Sequence, residues 1–120
     1  MGAALAAYII NRLFLKITRE QAIVYLVPLT EELVKTTAAI LLGGWLPGVH
    51  FVFGIIEAIY DFFHGRIKCM ACLAAVMSMI SHGIFGIITH YFYLWTRSLV
   101  AAILVATVIH GTWNYFATRP

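Results

Sequence analysis

The chain has 120 residues, of which 62% are hydrophobic and only 11% are Asp, Glu, Lys or Arg, with a formal net charge of +3. A water-soluble domain carries about a quarter of its residues as charges, so the composition excludes an ordinary soluble globule and points to a membrane protein. The eight Lys and Arg lie between apolar runs and form no basic face, which argues against a nucleic-acid partner and leaves anionic lipid headgroups as the counterpart.

In chain order, residues 1–20 come first as a separate unit. The apolar stretch Gly2 to Ile10 is too short to cross a bilayer and leads into Arg12, Lys16 and Arg19 at helical spacing, the pattern of an interfacial amphipathic helix or a truncated first span. Its charges follow the apolar stretch rather than precede it, unlike a cleavable signal. Residues 21–118 then hold four segments, each long enough for a ~30 Å hydrocarbon core. The first runs from Gln21 to Leu46, the second from Gly48 to Gly65, the third from Cys69 to Leu94 and the fourth from Ser98 to Thr118. Gly43-Gly44 with Pro47-Gly48, then Gly65-Arg66-Ile67-Lys68, then Trp95-Thr96-Arg97 separate them. The expected architecture is therefore an all-α membrane protein, a compact bundle of four transmembrane helices preceded by the short N-terminal helix.

Basic residues in short loops mark the cytoplasmic side. Arg12, Lys16, Arg19, Arg66, Lys68 and Arg119 fall on one side and Arg97 on the other, so the first side is expected in the cytoplasm of a prokaryotic cell. Trp45, Trp95, Tyr91 and Tyr93 fall at the opposite ends, as an interfacial aromatic belt does.

The polar residues within the spans fall at one depth. At 1.5 Å per residue, Glu31 lies roughly 18 Å along its helix from Arg19, Glu57 roughly 14 Å from Arg66, His82 roughly 21 Å from Lys68 and His110 roughly 14 Å from Arg119. Ionisable groups at bilayer depth face a bundle interior and partner one another, so all four spans are expected to feed one polar site. Spacing agrees: Glu31 and Glu32 stand four and three residues before Lys35, Glu57 four before Asp61, and His110 four before Asn114, each pair on one helix face. Pro28 frees the Val24 carbonyl one turn before the glutamates, a kink that admits water. Gly83 and Gly111 each follow a histidine and predict close backbone approach between the last two spans.

These stretches resemble a known family. PLTEELVK is similar to the EE-x-x-K signature of the PrsW family of intramembrane proteases, and FGIIEAIY is similar to its second motif, a Phe-Gly followed by Glu and Tyr. SHGIFG and IHGTWN resemble its two His-Gly motifs, the last ending in Asn. The motifs occur in order, one per span, over about residues 24 to 116. The wider clan includes the CAAX-protease and bacteriocin-processing family, whose pattern has an arginine where this chain has Thr36, and the non-catalytic Aph scaffold subunit of gamma-secretase; Lys35 favours the PrsW pattern. The resemblance implies that Glu31, Glu32, Glu57, His82 and His110 are the functional polar residues. It also implies hydrolysis of a peptide bond in or near the transmembrane segment of a membrane-protein substrate. Family members are usually longer, and walls as thin as these imply a homo-oligomer that seals the polar layer.

Two mechanisms fit these residues. In a glutamic peptidase, Glu31 or Glu32 takes a proton from water while His82, His110 and Asn114 donate to the oxyanion, with Lys35 and Asp61 in support. In a zinc peptidase, Glu57, His82 and His110 bind Zn2+ and a water fills the fourth position. A non-catalytic scaffold, or a proton or cation pathway, would use the same cluster without turnover. Glu31, Glu32 and Lys35 alone could also be an ion pair that fixes helix register. His50 and His64 sit near span ends, where interfacial exposure is expected, and His90 lies off the common layer. Cys69 and Cys72 form a lone CxxC, read as two small apolar residues on one helix face.

Overall fold

The computed structural model describes residues 22–117, together with Ile9 and Leu13, both helical, from the expected N-terminal helix; the rest of that helix, with Arg12, Lys16 and Arg19, and also Arg119, lies outside the described residues. A π-helical turn, Ala22–Leu26, opens into α1 (Val27–Leu41). It is followed by α2 (Leu46–His64), α3 (Lys68–Thr96) and α4 (Leu99–Ala117). The turns between them are short, so consecutive helices run antiparallel. The helices pack in a ring, α1 against α2 and α4, α3 against α2 and α4, with the most extensive contact between α2 and α3. Gly43 closes the α1–α2 turn at φ 61°, a left-handed conformation that costs a glycine nothing.

The first expected span is interrupted where the sequence places a proline. Pro28, in the first turn of α1, has no N–H to return to the Val24 carbonyl, so the α-helical ladder begins at Val27 and the residues before it take the wider π turn. The freed Val24 carbonyl faces α4: a Cβ at Gly111 would collide with it. The kink is thus closed by a neighbouring helix rather than opened to solvent.

Burial is inverted relative to a water-soluble bundle. Glu31, Glu32, Lys35, Thr36, His50, Ser81, His82, Thr89 and His110 are buried, while Leu33, Ile40, Ile59, Ile80, Ile84, Ile87, Val100, Leu104 and Val108 face outward. Charged side chains in water are almost never buried so fully. Three of the four α-helices, α2, α3 and α4, are long and apolar enough to cross a membrane. α1 has fifteen residues, and with the five of the π turn the pair makes twenty.

The tight seam between α2 and α3 is made by Gly54 and Gly86. A Cβ at Gly86 would lie 2.7 Å from His50 Cβ and 2.9 Å from Pro47 Cα, and one at Gly54 would lie 3.0 Å from His82 Cβ. Gly83, expected to allow close approach, does not: a Cβ there would meet only the Phe51 ring, at 3.7 Å. The reason is helical phase. A residue directly after His82 points about 100° away from it, whereas Gly86, four residues on, shares its face. Gly86→Ala is accordingly expected to destabilise the bundle by about 1–3 kcal/mol through overpacking, and Gly83→Ala to be near neutral. Denaturant titration of both variants in detergent checks this, and equal losses for the two would contradict the seam.

Candidate functional site

Lys35 is the centre of the polar core. It is fully buried, and its Nζ lies 3.1 Å from Glu31 Oε2, 3.2 Å from Glu32 Oε1 and 3.0 Å from His82 Nδ1. An ammonium has three protons and no acceptor, so all three are committed. His82 Nδ1 must therefore accept, which places the ring proton on Nε2. From there it donates to Glu57 Oε2 at 2.6 Å, and Ser78 Oγ donates to the same oxygen at 3.1 Å. On α4, His110 Nδ1–H donates to Glu32 Oε1 at 2.9 Å, leaving its Nε2 edge 3.8 Å from Glu31 Oε2. Carboxylates from α1 and α2, an ammonium from α1 and imidazoles from α3 and α4 thus form one connected network.

Aromatic rings hold this network in place. The His82 and His110 rings meet edge to face at 5.2 Å between centroids, and buried Phe85 packs against both, at 5.8 and 5.0 Å. The Phe53 ring lies 5.5 Å from Lys35 Nζ, within cation–π range. Phe85 and Phe53 are helix neighbours of the polar positions, but composition and spacing gave no sign of their contacts with the charged groups.

The residues expected at the site separate into those the structure brings together and those it does not. Glu31, Glu32, Lys35, Glu57, His82 and His110 converge. Glu57 is at the edge, its side chain 41% exposed. Asn114 stands one turn beyond His110, half-buried. Asp61 lies outside the cluster: Lys35 has no donor left for it, and it lines a cavity of about 490 Å³ beside the α2–α3 turn with His64, Gly65 and Arg66. His64 is exposed, stacked on Tyr60, and His90 packs on Tyr91. Cys69 and Cys72 are free and exposed.

His50 departs from its expected interfacial position. It is fully buried, with Nδ1 3.5 Å from Glu32 Oε2. It sits one turn into α2, and the packing of Pro47 and His50 against Gly86 turns the ring inward. Among the described residues, both its ring nitrogens lack a hydrogen-bond partner, as do Glu32 Oε2 and Thr36 Oγ1. Leaving such a group buried and unpaired costs about 1–3 kcal/mol.

The residues that could hold a metal also differ from expectation. Glu31, His82 and His110, rather than Glu57, His82 and His110, offer three ligand atoms within 4.8 Å of one another. α2 carries Glu57 to the edge of the bundle beside Ser78, whereas Glu31 shares the layer of His110. Lys35 Nζ sits against two of that trio, so a divalent ion would have to displace the protein's own cation. The fold and site together define an all-helical bundle, apolar outside and ionic within. No family model, curated protein or solved structure matches the chain.

Proposed function

We propose that the four helices cross a lipid bilayer and that the buried cluster hydrolyses a peptide bond in or near a membrane-spanning substrate. The observation that carries this reading is the 3.8 Å gap between Glu31 Oε2 and His110 Nε2. The gap is too wide for a direct hydrogen bond, so both groups can turn to a reacting water or carbonyl brought beside them. Glu31 takes the water proton as the oxygen attacks the carbonyl carbon, and returns it to the leaving amine nitrogen. Glu32 fixes the His110 ring through Nδ1, and Lys35 fixes Glu31. The oxyanion takes hydrogen bonds from the Asn114 amide and from the His110 ring edge beside Glu31. The half-exposed Glu57 edge gives a substrate segment lateral access. The basic residues of the α2–α3 turn, Arg66 and Lys68, face the cytoplasm in this reading.

A second reading rests on the Glu31, His82 and His110 trio: with Lys35 displaced, those three residues would hold Zn2+, which would supply an activated water. The test is cleavage of a fluorescent single-span substrate by the purified chain in liposomes, with and without prior treatment with a zinc chelator. The glutamic mechanism predicts turnover unchanged by chelation, the zinc mechanism predicts turnover lost and restored by zinc, and absence of turnover in both samples removes the peptidase reading.

A further inference from the structure

Glu32 bonds Lys35 and His110 through Oε1, and its other oxygen, Oε2, lies nearest His50, a group that the proposed mechanism does not use. Thr36 marks this region. Thr30, Thr89, Thr96, Thr107 and Thr112 each donate to the backbone carbonyl four residues back, at 2.7–2.8 Å. This is the usual resting place of a threonine hydroxyl in an apolar helix. Thr36 is fully buried and makes no such bond to the Glu32 carbonyl; its Oγ1 has no partner among the described residues. Glu32 and Thr36 share one face of α1, and His50 approaches that face from α2, with Nδ1 3.5 Å from Glu32 Oε2. The His50 side chain leaves α2 where that helix packs closely on Gly86. Four buried polar atoms on three fully buried residues therefore lack hydrogen-bond partners among the described residues, two of them 3.5 Å apart and Thr36 one turn along the same helix face.

We propose that Glu32 Oε2, His50 and Thr36 Oγ1 form a binding site for water, separate from the seat between Glu31 and His110. A water there donates to Glu32 Oε2 and bonds to a ring nitrogen of His50, and the Thr36 hydroxyl completes its shell. Buried waters typically make about three such bonds. The consequence is positional. With Oε2 held, Glu32 keeps Oε1 on Lys35 and on His110 Nδ1, and His50 acts on the site through Glu32 as a positioning residue. This last step rests on the peptidase reading, while the water site does not.

The experiment uses the full chain in lipid bilayers, labelled with 15N-histidine, and solid-state NMR transfer from water protons to imidazole nitrogens. The expected result is a water contact at a His50 ring nitrogen, retained in Thr36→Ser and at least halved in Thr36→Val. A His50 nitrogen bonded directly to carboxylate without water contact would overturn the proposal, as would a metal-shifted nitrogen signal that chelation removes. On the peptidase reading, His50→Phe lowers kcat about tenfold at unchanged KM, and His50→Asn, which keeps a polar group at the water, recovers most of it. If wild-type turnover is absent, the peptidase reading fails and the NMR result still decides the water site. If turnover is present and His50→Asn is as impaired as His50→Phe, the positioning role fails alone.

Discussion

Replacing Lys35 with methionine is expected to cost about 3–5 kcal/mol of stability, the loss typical of removing one partner from a buried ionic network. Methionine preserves the length and volume of the side chain, so packing beside Phe53 survives and the effect isolates the charge. The wild-type core holds Glu31, Glu32 and Glu57 against this single lysine. Without it, two carboxylates that are at most 7% exposed lose their common donor, and His82 loses the proton that sets its tautomer. Adding Glu31→Gln and Glu32→Gln to Lys35→Met should recover much of the loss, because neutral amides need no counter-ion. A thermodynamic cycle between Lys35→Met and the Glu31→Gln/Glu32→Gln pair, measured by denaturant unfolding in detergent, reads this coupling directly. A Lys35→Met loss under about 0.5 kcal/mol would show that the ammonium is not where the structure places it.

Glu31→Gln is expected to give the largest functional effect, a fall in turnover of about 10²- to 10⁴-fold, the range for loss of a general base. The amide keeps the shape of the side chain and can accept one bond from Lys35 through its oxygen, so the bundle should fold. Glu32→Gln is expected to be milder in chemistry and more visible in structure, since Glu32 is bonded to both Lys35 and His110 and is fully buried. Comparing kcat for the two variants on one model substrate separates the roles. Equal kcat losses with unchanged thermal stability would contradict the assignment of Glu31 as base.

The helical bundle and most of its polar residues could be read from the sequence because helix periodicity and depth are both properties of spacing. Three and four residues separate Lys35 from its glutamates, and the distance of Glu57, His82 and His110 from the ends of their spans puts them in one layer. What depends on rotation about a helix axis, or on which helix lies beside which, could not be read that way. His50 looked interfacial because depth was counted from the end of the span, yet the ring turns inward where α2 meets Gly86. Glu57 was grouped with the two histidines as a possible metal ligand, but α2 carries it to the edge while Glu31 moves in. Pro28 correctly signalled a break in the first span. Its freed carbonyl is met by Gly111 from the last helix, a partner distant in sequence.

The unequal lengths of α1 and α3 have a consequence for the surrounding lipid. With its π turn α1 has twenty described residues, a rise of about 30 Å, and twenty-nine give α3 about 44 Å, against the ~30 Å thickness of hydrocarbon. In the bilayer reading proposed above, α1 matches the hydrocarbon while the excess length of α3 is taken up by tilt, a lopsided hydrophobic mismatch. In that reading a thinner bilayer would tilt α3 further and carry the change to α2 and α4, which pack against it.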